Sequence, residues 1–210
     1  MKNILNIETS FGKWFALVGV VIQLIVFYLT NDSVLALISG VAGVISVVLC
    51  SQRKISFYFW GFLQVGTFLI IAINNNLFGK IVENIFYIIT MIYGIFAWKH
   101  NSDKNGKVIP KKWGLETIFL LMLAVIVGGY MYVTFDIPKL NVLEIDILTS
   151  ILAIIAQILM VLGYREQWYF WFGVDVLCVI LFASMNEWCM VVQYIFWTIN
   201  CVYGYLNWRK

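Results

Sequence analysis

The sequence predicts an all-α polytopic membrane protein, with eight transmembrane helices in a parallel 3+1+3 repeat plus an extra N-terminal helix. Three observations predict it. The chain has 210 residues, 62% of them hydrophobic and 12% charged, whereas a soluble domain carries roughly 25% charge and about 45–50% apolar residues. Surplus apolar surface on this scale requires lipid. Apolar segments near the ~20 residues that cross a bilayer recur at 11–30, 34–50, 56–73, 81–98, 114–134, 145–163, 167–184 and 189–208. Finally, ENIFYIITMIYGIFAW (83–98) returns as QYIFWTINCVYGYLNW (193–208), identical at six of sixteen positions: Ile85/Ile195, Phe86/Phe196, Ile89/Ile199, Tyr93/Tyr203, Gly94/Gly204 and Trp98/Trp208.

Taken in order, residues 1–32 hold the extra N-terminal helix. No small-residue cleavage pattern follows its apolar run, and TNDS (30–33) reads as a short turn, so the segment counts as a helix and not a signal peptide. Residues 33–98 form the first three-helix bundle, 99–144 a basic loop and the linker helix, and 145–210 the second bundle. Aligning FYFWGFLQVG (57–66) with WYFWFGVDVL (168–177) places Trp60 on Trp171 and Gln64 on Asp175, and the turns NNNLFG (74–79) and SMNEW (184–188) correspond. A three-helix unit starts on one side of the membrane and ends on the other. The single linker helix restores the direction, which makes the repeat parallel, as in some transporter families. Pro110 and Pro138 both lie between apolar runs, so no helix is expected to kink at a proline.

Orientation follows from the basic residues, which concentrate on the cytoplasmic side. With the N-terminus inside, the cytoplasm receives Lys2, Lys13, Arg53, Lys54, Lys99, Lys104, Lys107, Lys111, Lys112, Arg165, Arg209 and Lys210, and the outside only Lys80 and Lys139. Both termini are then cytoplasmic. The net charge of +3 belongs to this bias, so the expected partner is the lipid bilayer and not nucleic acid. The loop KHNSDKNGKVIPKK (99–112) reads as a positive-inside anchor that divides the halves.

Polar residues inside a membrane are costly and mark function. Asp175 stands about eight residues into the seventh span, about 12 Å from its end at ~1.5 Å per residue, with no Lys or Arg at its depth. Trp171 lies four residues earlier on the same face, and Trp168 a further turn back. Trp60 and Gln64 stand in for this group in the first half. On the eighth span Gln193, Trp197 and Asn200 form one stripe at i, i+4, i+7, with Glu83, Tyr87 and Thr90 as counterparts. Trp14, Trp98, Trp113, Trp168, Trp188 and Trp208 fall near span ends, where an aromatic belt explains them. The Tyr-Gly pairs read as close helix packing, the asparagines 74–76 and 186 as turn residues, and Glu116 and Glu83 as snorkelling carboxylates. Asn84 and Gln157 serve either as site members or as interhelical hydrogen-bond partners.

The four cysteines, Cys50, Cys178, Cys189 and Cys201, lack CxxC or Cys/His spacing, and the one histidine, His100, lies in the basic loop. No metal or cofactor is expected. The sequence also lacks GxxxxGK[ST], a Gly-rich dinucleotide turn, HExxH and a Ser/His/Asp set, which argues against an enzyme or an ATP-driven pump. Deep aromatics, amides and one carboxylate suit a small, flat, cationic molecule bearing hydroxyls. A proton relay through Asp175 is the rival role.

The 3+1+3 arrangement, Trp171-x-x-x-Asp175, Gln193-x-x-x-Trp197-x-x-Asn200 and the closing YGxxxW resemble the PnuC nicotinamide riboside transporters, whose core is similar to that of the SWEET sugar transporters. The resemblance covers the chain apart from its N-terminal helix. It implies facilitated, bidirectional passage of nicotinamide riboside across the bacterial inner membrane by alternating access, with uptake drawn inward by a cytoplasmic kinase. It also allows a homo-oligomer, trimeric assemblies included. The binding set read from the residues is Trp60, Gln64, Tyr87, Trp168, Trp171, Asp175, Gln193, Trp197 and Asn200. Thiamine or riboflavin as substrate, a proton-coupled or sugar carrier of SWEET-like type, and a membrane receptor or assembly subunit that transports nothing are the alternatives.

Overall fold

A computed structural model of the chain describes residues 7–30, 33–74, 78–112, 114, 119, 142–184 and 188–209. The linker helix expected at 114–134, Glu116 within it, and the turn asparagines at 75, 76 and 186 fall outside the described residues, apart from isolated positions. Seven helices stand among the described residues: α1 (Ser10–Thr30), α2 (Val34–Ser51), α3 (Phe57–Asn74), α4 (Phe78–His100), α5 (Val142–Leu162), α6 (Gln167–Ser184) and α7 (Trp188–Arg209). Each has 18 to 23 residues, long enough for a hydrocarbon core of about 30 Å. Five of them, α1 to α4 and α6, are long and apolar enough to cross a membrane. On α7 the polar Gln193, Asn200 and Asn207 lower the mean hydropathy.

The chain divides into two compact units, Met1–Ile109 and Pro110–Lys210. In the first, α1 packs on α2, α2 on α3 and α3 on α4; in the second, α6 packs on both α5 and α7. The described parts of the two units follow one register, 110 residues apart. α2 and α5 end in the same left-handed turn, with Arg53 (φ 62°) answering Gly163 (φ 80°). Lys54 N–H donates to Leu49 O at 3.0 Å and Tyr164 N–H to Leu159 O at 2.8 Å, while Arg53 and Gly163 N–H reach Cys50 O and Met160 O. Both are Schellman closures, which satisfy orphan carbonyls at a helix end.

That register corrects the sequence alignment of the middle helices by one residue. Trp60 corresponds to Phe170 and Gly61 to Trp171; Gln64 corresponds to Val174 and Val65 to Asp175. The similar aromatic runs FYFW and WYFW suggest a spacing of 111, but the identical turns before α3 and α6 leave no room for an added residue. On a helix a one-residue slip rotates a side chain by about 100°, so the correction changes which residues share a face.

In the repeated YGxxxW phrase the glycine and the tryptophan are interior packing, whereas the tyrosine is not: Tyr93 is 59% exposed, which corrects the packing reading of the Tyr-Gly pairs for their tyrosine. A Cβ on Gly94 would lie 2.1 Å from the Tyr58 hydroxyl oxygen, and one on Gly204 would lie 2.5 Å from Cζ2 of Trp168. Each glycine therefore lets an aromatic ring lie directly on the backbone. Trp98 and Trp208 are 1% and 2% exposed. Trp98 packs on Phe57 and Tyr58 with centroids 4.6 and 5.3 Å away, and Trp208 meets Trp168 edge-on at 6.0 Å. The aromatic-belt reading of Trp98, Trp168 and Trp208 is thus corrected: their rings fill the bundles. Trp14, 68% exposed, keeps a position that a lipid-facing aromatic would take.

The basic loop is a built structure. Asp103 Oδ1 accepts the backbone N–H of Lys107 at 2.9 Å and of Asn105 at 2.8 Å, and these bonds, that to Lys107 first, hold its carboxyl below the usual range. Lys107 pairs with Lys54 in an antiparallel β-bridge. Like charges opposite each other are unfavourable, and Glu8 resolves this by giving one carboxylate oxygen to Lys54 and the other to Lys107, at 2.6 Å. Gln52 Oε1 accepts the Glu8 N–H at 2.9 Å, so the segment before α1 is tied to the α2–α3 turn. In the second unit Lys111 N–H donates to Gly163 O at 2.8 Å.

Candidate functional site

The second unit gathers most of the expected site. Asp175 on α6 is 3% exposed and accepts a hydrogen bond on Oδ2 from the Cys201 thiol on α7, at 3.2 Å. Trp171, one turn before it, packs with Phe182 and Tyr194 against buried Ala153, Val174 and Cys178. Phe182 stacks on Tyr194 at 5.3 Å, and Tyr194 meets Trp197 edge-on at 5.1 Å. Trp171 and Tyr194 thus pack against one buried cluster, and Tyr194 carries the ring contact to Trp197. Gln193 and Trp197 are half-buried and Asn200 is 2% exposed on the same stripe of α7. Among the described residues the Trp197 indole Nε1, which is buried, has no hydrogen-bond partner. A buried donor without an acceptor costs about 1–3 kcal/mol.

Trp168 sits two turns from Asp175, against Gly204 and Trp208. Its contacts are those of a bundle anchor, and its buried Nε1 likewise has no partner among the described residues. Trp60, Gln64 and Tyr87 belong to the first unit. Trp60 meets Phe59 edge-on at 5.5 Å. The Gln64 amide approaches within 3.0 Å of the place a Cβ on Gly43 would take. Tyr87 donates its hydroxyl to Glu83 Oε1 at 2.8 Å, which gives Glu83 a partner on its own helix, and Thr90 donates to Phe86 O at 2.9 Å.

Sequence reasoning passed over Phe182, Tyr194 and Cys201. The signal was present in the repeat at its true register, where they replace Ala72, Asn84 and Met91. Chemically the group offers aromatic faces for a flat or cationic ring, an unused indole N–H, amides for hydroxyls and a carboxylate. α6 carries no Lys or Arg. Among the described residues, no three His, Cys, Asp or Glu side chains gather as a metal site would require.

A family described as "Nicotinamide mononucleotide transporter" matches residues 33–210, beginning just before α2 and leaving α1 outside. The chain is 35% identical over 202 residues to the nicotinamide riboside transporter PnuC of Haemophilus influenzae, covering 94% of this chain and 88% of that one. It is 29% identical over 215 residues to the protein of that name from Neisseria mucosa, covering 96% and 82%. Among solved structures it resembles one titled "Crystal structure of the Vitamin B3 transporter PnuC", with a TM-score of 0.76 and 28% identity, covering 96% of this chain and 91% of that chain.

Proposed function

The chain belongs to the nicotinamide mononucleotide transporter family, and from that premise we propose that it carries nicotinamide riboside across the bacterial inner membrane by facilitated diffusion. It is a multi-pass membrane protein and no enzyme. The observation that carries the substrate reading is the aromatic and polar group on α6 and α7. Trp171 and Trp197 offer faces to the pyridinium ring, the free Trp197 N–H an acceptor's partner, and Asp175, Gln193 and Asn200 groups for the ribose hydroxyls and the positive charge. Trp60, Gln64, Tyr87 and Trp168 complete the proposed lining. Eight spans, a parallel 3+1+3 repeat with one extra helix, and cytoplasmic termini supply the frame, in which one bundle rocks against the other. A cytoplasmic kinase draws net uptake, and a homo-oligomer is compatible with this frame.

The test is exchange of labelled nicotinamide riboside by the purified chain in liposomes without an ion gradient, with thiamine, riboflavin and simple sugars as competitors. Exchange competed best by unlabelled nicotinamide riboside is expected. Absence of exchange would favour a receptor or assembly subunit. Buried Asp175 also supports a second reading, proton coupling. Uptake that collapses with the proton gradient in vesicles lacking any kinase would favour it.

A further inference from the structure

The bond between Cys201 and Asp175 has a counterpart in the first unit that shows the fold has no need of it. At the equivalent places stand Val65 and Met91, 8% and 3% exposed. Met91 lies over Gly61, its Cε 2.6 Å from where a Cβ there would be. The same crossing of two helices is thus sealed by apolar groups in one copy and by a carboxylate and a thiol in the other. Burying a polar pair where an apolar one fits costs stability, so a pair kept there points to a task other than holding the fold. Both members also sit one turn after an aromatic of the candidate site: Trp171 and Asp175 at i, i+4 on α6, Trp197 and Cys201 at i, i+4 on α7. Their first-unit equivalents are Gly61 with Val65 and Tyr87 with Met91. The Trp197 Nε1, one turn before Cys201 on α7, is a buried donor with no acceptor among the described residues.

We propose that Cys201 is a positioning residue of the substrate site: its thiol donates to Oδ2 of Asp175 and fixes the carboxylate plane, leaving Oδ1 for the hydroxyl groups or cationic ring of a nucleoside-like substrate. This rests on the functional reading above and adds to it a residue that acts through Asp175 without touching the ligand. A thiol is a weak donor, so it orients the carboxylate while leaving most of its hydrogen-bonding capacity for the substrate.

The test is nicotinamide riboside binding to the purified full chain by titration calorimetry. It uses Cys201→Ser and two donor-free variants of different volume, Cys201→Ala and Cys201→Val, each with Asp175 present and with Asp175→Asn. Both donor-free variants are expected to bind about five- to twenty-fold more weakly, and Cys201→Ser, which keeps a donor, within about three-fold of the parent. In the Asp175→Asn background the Cys201 changes are expected to alter affinity less than about two-fold, since the group they act through is gone. The proposal is overturned if Cys201→Ser loses as much as the donor-free variants, or if their losses persist beside Asp175→Asn. Parent protein that binds while Asp175→Asn binds equally well sinks the Cys201 proposal alone. A parent that does not bind nicotinamide riboside sinks the functional reading and this proposal together.

Discussion

Tyr58 and Gly94 offer a test of how the first unit is packed. Tyr58 is 2% exposed and its hydroxyl has no hydrogen-bond partner among the described residues. A buried hydroxyl in that condition costs about 1–3 kcal/mol, and deletion of the oxygen alone leaves the ring contacts with Phe57 and Trp98 intact. Tyr58→Phe is therefore expected to be neutral or to stabilise by about 1 kcal/mol. Gly94→Ala acts on the same oxygen, because the new Cβ would fall 2.1 Å from it, 2.8 Å from Cζ and 3.0 Å from Cε1. Overpacking of this kind costs about 1–3 kcal/mol, less the ~0.5–1 kcal/mol that alanine gains over glycine in a helix. With Tyr58→Phe in place the nearest atom becomes Cζ at 2.8 Å, and the two changes should couple favourably by about 1 kcal/mol. Unfolding of the four proteins in mixed detergent micelles, followed by tryptophan fluorescence against SDS, measures the cycle. If Tyr58→Phe destabilises by more than about 1 kcal/mol, or if the cycle shows no coupling, the close approach of ring and backbone is not what shapes this crossing.

Trp197→Phe keeps a ring against Tyr194 but removes the unused N–H, and should weaken nicotinamide riboside binding about two- to twelve-fold, the equivalent of one neutral hydrogen bond; unchanged affinity in calorimetry would mean the N–H meets no substrate. Arg53 holds a left-handed φ of 62° where Gly163 stands in the second unit, a conformation costing most residues about 1–2 kcal/mol. Arg53→Gly should therefore gain roughly 0.5–1 kcal/mol and Gly163→Ala lose about 1 kcal/mol in the same unfolding assay, and a loss from Arg53→Gly would contradict the turn's strain. The Glu8 carboxyl is held below its ordinary value, first by Lys107 and then by Lys54. Its stabilisation is fully present above the ordinary carboxylate pKa of about 4.3 and disappears as pH falls through the lowered value. Because the pair is partly exposed, Glu8→Gln should cost less than about 1 kcal/mol at neutral pH, a difference that shrinks in high salt and at low pH; a cost independent of both would assign Glu8 a packing role.

The spans were legible because lipid enforces its own ruler. A helix that crosses about 30 Å needs about 20 apolar residues, and the starts of α2, α3, α6 and α7 fall within one residue of the apolar runs. The stripe Gln193, Trp197 and Asn200 was legible for a related reason, since α7 is a regular helix and spacing alone sets its faces. The register of the middle helices was not. Aromatic similarity between FYFW and WYFW outweighs one residue of shift in sequence, whereas in three dimensions the Schellman turns at Arg53 and Gly163 leave no freedom. Trp98 and Trp208 misled in another way: a tryptophan at a span end suits an interface, and only the helix crossing reveals that Phe57, Tyr58 and Trp168 enclose them. The pairing of Cys201 with Asp175 depends on which faces of α6 and α7 meet, which no periodicity records.

At the corrected register the difference between the two copies concentrates in one place. Gly61, Ala72, Asn84 and Tyr87 of the first unit become Trp171, Phe182, Tyr194 and Trp197 in the second, so the larger ring group around α6 and α7 is assembled by substitutions onto a shared scaffold. Val65 and Met91 become Asp175 and Cys201 at the same crossing, and Thr90, which bonds its own helix backbone, becomes buried Asn200. The residues that stay constant, Gly94 with Gly204 and Trp98 with Trp208, are those that set how closely helices approach. Helices α3 and α4 and helices α6 and α7 give two frames in one register, but a ligand with an aromatic ring at one end and a sugar at the other has no such symmetry. Aromatic, amide and carboxylate groups concentrate in one frame while Gly61 and Met91 seal the other, and under the proposed function that difference is what an asymmetric solute would require.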